Sequence, residues 1–292
     1  MKSSKLYHLL AIVTAIIWGT TFVSSRLLLD AGLTPAAIMM LRFAIAYLCL
    51  LPFYHKRFLS DNWRDEILMA VLGITGGSMY FLLENTALLY TQASNVAIII
   101  AATPLLTTIT VHLLSGREKA DRQLYAYSAL SMLGVALVVF NGEFILQLNP
   151  LGDILTLGAS IMWVLYSILI LRFNDKYPPL MITRKIFFYG MLTLLPYFFF
   201  EPWSATWQIL LQPTVIFNLL FLGIVASLLC YWMWNVVIDK LGAIKSTNYL
   251  YLNPIVAMIT SYIVLDERIT FLAIVGTSLI LTGMYLAQRR NN

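Results

Sequence analysis

Charge is scarce in this chain of 292 residues: Asp, Glu, Lys and Arg together make up 11% of it, against about 25% in an ordinary soluble domain. So few charges cannot cover a water-facing surface of this size. A soluble enzyme and a disordered chain are excluded on that ground. Cysteine is also sparse. Cys49 and Cys230 both lie in apolar stretches, which excludes a disulfide scaffold and leaves two ordinary buried or lipid-facing thiols. The three histidines, His8, His55 and His112, are isolated from one another, and no Cys/His spacing matches a metal site. No G-x-x-x-x-G-K-[ST] loop occurs, which argues against ATP-driven chemistry. The first apolar run, from about His8 to Leu29, is longer than the h-region of a cleaved signal and lacks a small-residue cleavage site.

What the chain has is apolar length. Hydrophobic residues make up 60% of it, and its mean hydropathy is +0.81. Runs long enough to span a bilayer fall at about 8–29, 35–54, 66–89, 94–114, 122–141, 151–172, 181–200, 215–238, 244–265 and 269–287. They are punctuated by Gly32-Leu33-Thr34-Pro35, Ser115-Gly116-Arg117-Glu118, Asn149-Pro150, Tyr177-Pro178-Pro179 and Glu201-Pro202. Lipid offers the backbone no hydrogen-bond partner, so each run is expected to be a helix. The expected fold is an all-α integral membrane protein of ten transmembrane helices.

The basic residues test that count. With the N-terminus in the cytoplasm and ten alternating spans, inner segments hold 16 of the 19 Lys and Arg residues, among them Lys56, Arg117, Lys176, Lys185 and Arg289. Arg26 and Arg268 fall outside and Arg42 within a span. A missed helix would reverse the alternation and destroy this bias. The formal +5 then records orientation, and no nucleic-acid partner is needed.

Shifting the chain against itself shows an internal repeat. Leu72-Gly73-Ile74 matches Leu222-Gly223-Ile224, Asn85 matches Asn235, Ala93 matches Ala243 and Pro104 matches Pro254, each 150 residues apart. Trp18 corresponds to Trp163, Leu51-Pro52 to Leu195-Pro196 and Gly134 to Gly283. The halves, 8–141 and 151–287, contain five expected spans each. Five is odd, so the second copy lies upside down relative to the first, an arrangement of secondary transporters.

Several of these residues also carry a family likeness. Ile17-Trp18-Gly19-Thr20-Thr21-Phe22, Leu41-Arg42-Phe43, Ala102-Thr103-Pro104-Leu105 and the stretch from Leu252-Asn253-Pro254 through Asp266-Glu267-Arg268 to Gly276 and Gly283 resemble, in order, the EamA family of the drug/metabolite transporter superfamily. The resemblance implies a ten-helix carrier, often an exporter of amino acids or other small metabolites, in a bacterial inner membrane. One departure is that no glycine follows Trp163.

The candidate path follows from polar and aromatic residues at mid-span. Trp18 and Trp163, with Thr21 and Tyr166 beside them, either pack helices together or wall a central cavity. Pro104 and Pro254, expected near mid-helix behind Thr103 and Asn253, either shape the bundle or free carbonyls onto a water-filled path. Arg42 and Glu84 are charges inside spans. They either neutralise each other or act on solute, Arg42 on a carboxylate and Glu84 on a proton or an amine. Asn85 and Asn235 would lie near opposite faces, as paired gates would. Tyr80, Tyr231 and Trp234 complete the candidate lining.

The function expected is a secondary transporter working by alternating access, an exporter of amino acids or related metabolites with proton coupling as one possibility. The alternative solute class is phosphorylated or nucleotide-linked sugars, which would need more mid-depth cations than Arg42. A membrane enzyme or sensor is the alternative of another class, but no clustered nucleophile and base is found. No metal or cofactor is expected. The expected partners are the lipid bilayer and a small solute, for which a monomer suffices.

Overall fold

The structure, a computed structural model, describes residues 2–55, 58–90, 96, 99–114, 122–140, 150–173, 176–265 and 271–290. The expectations placed on Lys56, Ala93, Arg117, Glu118, Glu267, Arg268 and the His112 side chain fall outside the described residues.

The described elements are helical. The longer ones are α1 (Lys2–Asp30), α2 (Pro35–Leu50), α3 (Trp63–Tyr90), α4 (Thr103–Leu114), α5 (Arg122–Phe140), α6 (Pro150–Phe173), α7 (Pro179–Leu194), α8 (Pro213–Leu241), α9 (Leu252–Leu265) and α10 (Phe271–Arg290), with shorter helical pieces at Leu195–Phe199, Trp207–Leu210, Ala243–Thr247 and Asn248–Tyr251. Helices α1, α3, α6 and α8 are long and apolar enough to cross a membrane. Helix α2 is apolar but shorter, 16 residues, about 24 Å at 1.5 Å per residue. Exposed faces are apolar too: Leu133, Ile154, Phe217, Ile263 and Ile274 are each more than half exposed, as expected of side chains whose solvent is lipid rather than water. Many helix-borne hydroxyls, including Thr107, Thr156, Ser167 and Thr183, donate to the carbonyl one turn back, which satisfies them without solvent.

Two long helices depart from α geometry at matching places. Helix α3 is π-helical over Ile74–Ser78 and α8 over Phe221–Leu229. The extra residue per turn displaces carbonyls from the i−4 ladder and makes them available to other donors.

Glycine sets the closest helix approaches. A Cβ on Gly73 would stand 2.5 Å from the Tyr189 Cβ, and one on Gly223 2.7 Å from the Ile45 Cβ, so α3 lies on α7 and α8 on α2. A Cβ on Gly134 would stand 2.5 Å from the Gly276 carbonyl, and one on Gly283 2.6 Å from the Tyr127 carbonyl, which closes α5 onto α10. Gly134→Leu is therefore expected to force these helices apart at a cost of about 1–3 kcal/mol. A fall in the unfolding midpoint in detergent checks this, and an unchanged midpoint contradicts the packing.

One of the two prolines departs from its expected mid-helix place. Pro104 is in the first turn of α4, after a turn at Ala101–Ala102, where a missing N–H costs nothing. Pro254 stays near the middle of a helical run that is α over Ala243–Thr247, 3₁₀ over Asn248–Tyr251 and α again over Leu252–Leu265.

Lysine 185 is a second correction. The charge bias counted it as an inner-loop marker, yet its side chain is 1% exposed in α7. Its ammonium pairs with Glu66 of α3, which also accepts from the Tyr189 hydroxyl and from Ser60 N. The Phe58 ring lies over it, with the centroid 3.9 Å from Nζ. Alongside, Asp65 pairs with Lys176 and accepts from the Tyr177 hydroxyl at 2.7 Å. Burial, and then that bond to Asp65, push the Tyr177 phenol up to about 12. This cluster ties the N-terminus of α3 to the α6–α7 connection.

Candidate functional site

Helices α1, α2, α3, α4, α6 and α9 enclose a small cavity of about 40 Å³. Its wall includes Trp18 and Thr21 of α1, Arg42 of α2, Tyr80 and Glu84 of α3, Thr103 of α4, Trp163 of α6 and Asn253 of α9. Those eight belong to the candidate path drawn from sequence. Phe22, Phe81, Ile100 and Leu250 also line it, and nothing in their type or spacing distinguishes them from core residues.

One side of the cavity is aromatic. The Trp18 and Trp163 rings meet edge to face with centroids 5.2 Å apart. Tyr80 lies 5.0 Å from Trp163, and Trp234 lies 5.0 Å behind Trp18. Both tryptophans are buried, so they do not face lipid. Beside Trp18, Gly19 lets α1 lie close on α9: a Cβ there would stand 2.6 Å from Val256 Cβ and 3.1 Å from the Asn253 carbonyl.

The rest of the wall is polar and incompletely partnered. Arg42 is 2% exposed. Its Nε donates to Ser227 Oγ at 3.0 Å, and its guanidinium lies 4.2 Å from the Phe81 ring centroid. No salt bridge joins it to Glu84 among the described residues. Phe81 and Ser227 hold the cation, and Glu84 stands on the same cavity, within electrostatic reach of Arg42 and beside Tyr80. Trp163 Nε1, Thr103 Oγ1 and Asn253 Oδ1 are buried with no hydrogen-bond partner. Buried polar groups are usually paired, so three unpaired ones around one cavity mark a place built for something else to bond. Thr103 is the first residue of α4, and Asn253 lies where the 3₁₀ stretch Asn248–Tyr251 passes into α9.

The remaining sequence candidates stand behind the wall or away from it. Tyr166, Tyr231 and Trp234 are fully buried in an aromatic layer against Trp163. Tyr231 donates its hydroxyl to the Gly76 carbonyl in the π segment of α3. Tyr166 donates to Asn235 Oδ1, and Asn235 Nδ2 donates to Thr183 Oγ1 at 2.8 Å. Asn235 also borders a second, larger cavity of about 380 Å³ at the α6–α7 connection, with Phe173, Lys176, Tyr177, Ile182 and Asp239. The aromatic layer thus stands between the two cavities. Asn85, its counterpart in the sequence repeat, is buried with Nδ2 unpartnered. Pro104 and Pro254 do not line the central cavity but follow two residues that do.

Apolar helices of spanning length around an inner polar cavity define a multi-pass membrane protein. The model of the EamA-like transporter family matches residues 5–140 and again 150–288, and the chain belongs to that family. It is 26% identical over 289 residues to an uncharacterized transporter of Archaeoglobus fulgidus, covering 98% of each chain. It is 26% identical to a probable terminal-alkyne amino-acid exporter of Streptantibioticus cattleyicolor, over 99% of this chain and 95% of that one. A probable amino-acid metabolite efflux pump of Escherichia coli is 23% identical, over 95% and 93%. A solved structure shares the fold at a TM-score of 0.75 and 17% identity, over 96% of this chain and 97% of that one. The chain is a membrane transporter, and these relatives point away from an enzyme.

Proposed function

We propose that this transporter is a secondary exporter of amino acids or related zwitterionic metabolites. In this reading the chain crosses the cell membrane ten times, as two inverted five-helix repeats over 8–141 and 151–287, with both termini in the cytoplasm. The observation that carries the reading is the polar inventory of the central cavity. A buried cation with no salt bridge among the described residues, a buried carboxylate and three unpaired polar atoms surround one space bounded by aromatic rings. That set complements a carboxylate, an ammonium and an apolar side chain. Arg42 is the one basic residue lining the cavity among the described residues, which disfavours multiply charged sugar phosphates. Two relatives named for amino-acid export support the same solute class.

Alternating access is the mechanism that the cavity favours. On the measure by which one water needs about 10–15 Å³, a cavity of about 40 Å³ holds a few waters and leaves little room for an amino acid in this conformation. Solute enters only when helices separate, and the repeat supplies two halves that can rock about the cavity. Glu84 is the group through which a proton would couple to that motion.

The test is purified protein in liposomes, screened with labelled amino acids, sugars and nucleotides with and without a pH gradient. Amino-acid flux that the gradient accelerates, and that loses its pH dependence in Glu84→Gln, is expected. Flux of the solute that ignores both the gradient and the substitution rules out coupling through Glu84.

A further inference from the structure

The π segments of α3 and α8 are related by the same shift of 150 residues that relates Leu72 to Leu222 and Asn85 to Asn235, so Gly76 corresponds to Ala226. Trp18 corresponds to Trp163 by the neighbouring register. The indole N–H of Trp18 donates to the Ala226 carbonyl at 2.9 Å. The matching bond would run from Trp163 Nε1 to the Gly76 carbonyl. That carbonyl instead accepts the Tyr231 hydroxyl, and Trp163 Nε1 is left buried and unpartnered. The residue in register with Tyr231 is Phe81, which has no hydroxyl to compete with Trp18 for the Ala226 carbonyl. One phenol oxygen therefore separates the two halves of the site.

A buried donor without an acceptor is unfavourable in the empty protein, and this one lies in the wall of the cavity that also holds Arg42. Trp163 cannot regain its acceptor locally. The Tyr231 hydroxyl caps the Gly76 carbonyl.

We propose that Tyr231 is a positioning residue: by occupying the Gly76 carbonyl it keeps the Trp163 indole N–H free to donate to an oxygen of the transported solute, a carboxylate or an oxyanion of similar size that Arg42 neutralises. The inference rests on the central cavity being the solute site. The Tyr231 hydroxyl does not touch solute. It acts by denying Trp163 an internal acceptor.

The test combines transport kinetics with the indole ¹⁵N–¹H resonances of the full-length protein in detergent, using the amino acid that wild type moves. The Trp163 resonance is assigned by its loss in Trp163→Phe. In wild type it shifts downfield when solute is added. In Tyr231→Phe it is expected downfield already, bonded to Gly76, and indifferent to solute, while KM rises ~10-fold with kcat changed far less, the worth of one hydrogen bond to a charged group. Trp163→Phe leaves the Tyr231–Gly76 bond intact and gives the same rise in KM, so it serves if Tyr231→Phe does not accumulate. The double variant adds nothing further. A Trp163 resonance that still answers to solute in Tyr231→Phe, or wild-type KM in Trp163→Phe, overturns the inference while transport stands. Wild-type protein that moves no solute removes the proposed function itself.

Discussion

Arg42→Met is expected to cut solute flux at least ~100-fold while leaving the unfolding midpoint unchanged or higher. The two halves of that expectation have one cause. A guanidinium 2% exposed, held by one serine hydroxyl and a ring face, is desolvated with no salt bridge among the described residues. Taking one ion out of water costs several kcal/mol, and an apolar side chain of similar volume is free of that cost. A charge retained inside a membrane despite that cost is a functional residue by default. If Arg42 grips a solute carboxylate through two charge-assisted bonds of about 1.5–3 kcal/mol each, their loss corresponds to at least ~100-fold in rate at low solute. Initial rates in liposomes and a melting curve in detergent check the two halves separately. Loss of stability together with activity would mean that Arg42 is a packing residue.

Glu66→Ala is expected to do the opposite, damaging the fold first. Lys185 is buried against Glu66 and the Phe58 ring, and removing the carboxylate strands its ammonium. Breaking a buried pair in this way costs about 3–5 kcal/mol, enough to deplete folded protein. Lys185→Met in the Glu66→Ala background should recover much of the loss, because the stranded charge goes with it. Monodisperse yield and thermal midpoint across the two single variants and the double variant measure the coupling. A double variant no more stable than Glu66→Ala would show that the cluster does not act through the lysine charge.

The sequence is informative about the site where chemistry is rare in a membrane and silent where it is common. Arg42 and Glu84 stand out as charges in apolar runs, and Trp18 and Trp163 as rings far from the interface that tryptophan prefers. All four line one cavity. Tyr166, Tyr231 and Trp234 could not be sorted the same way. Aromatic residues are 13% of the chain, and only three-dimensional contacts place these three behind the wall. Phe81 was missed for the same reason, although its ring carries the cation of Arg42. Lys185 was misplaced because the charge bias locates a cation along the chain without saying whether the side chain points out of the bundle or into it.

The fold shows the same division. Expected spans near 66–89, 151–172 and 215–238 became the long helices α3, α6 and α8 with ends moved by a few residues. The π segments had no signature beyond small residues such as Gly76 and Gly77, which lie against Tyr166 and Phe43. Proline pattern alone could not distinguish a kink from a restarted helix. Pro104 follows a turn at Ala101–Ala102 and starts α4, whereas Pro254 follows a 3₁₀ stretch inside a longer helical run.

The central claim is that the space among Trp18, Arg42, Glu84, Thr103, Trp163 and Asn253 holds the transported solute. Counterflow tests it most directly: liposomes carrying the protein are loaded with unlabelled amino acids, diluted into labelled amino acid, and followed for transient accumulation. Wild type is expected to accumulate label above equilibrium and Arg42→Met to lie on the protein-free baseline. Accumulation by the Arg42→Met protein equal to wild type would contradict the claim.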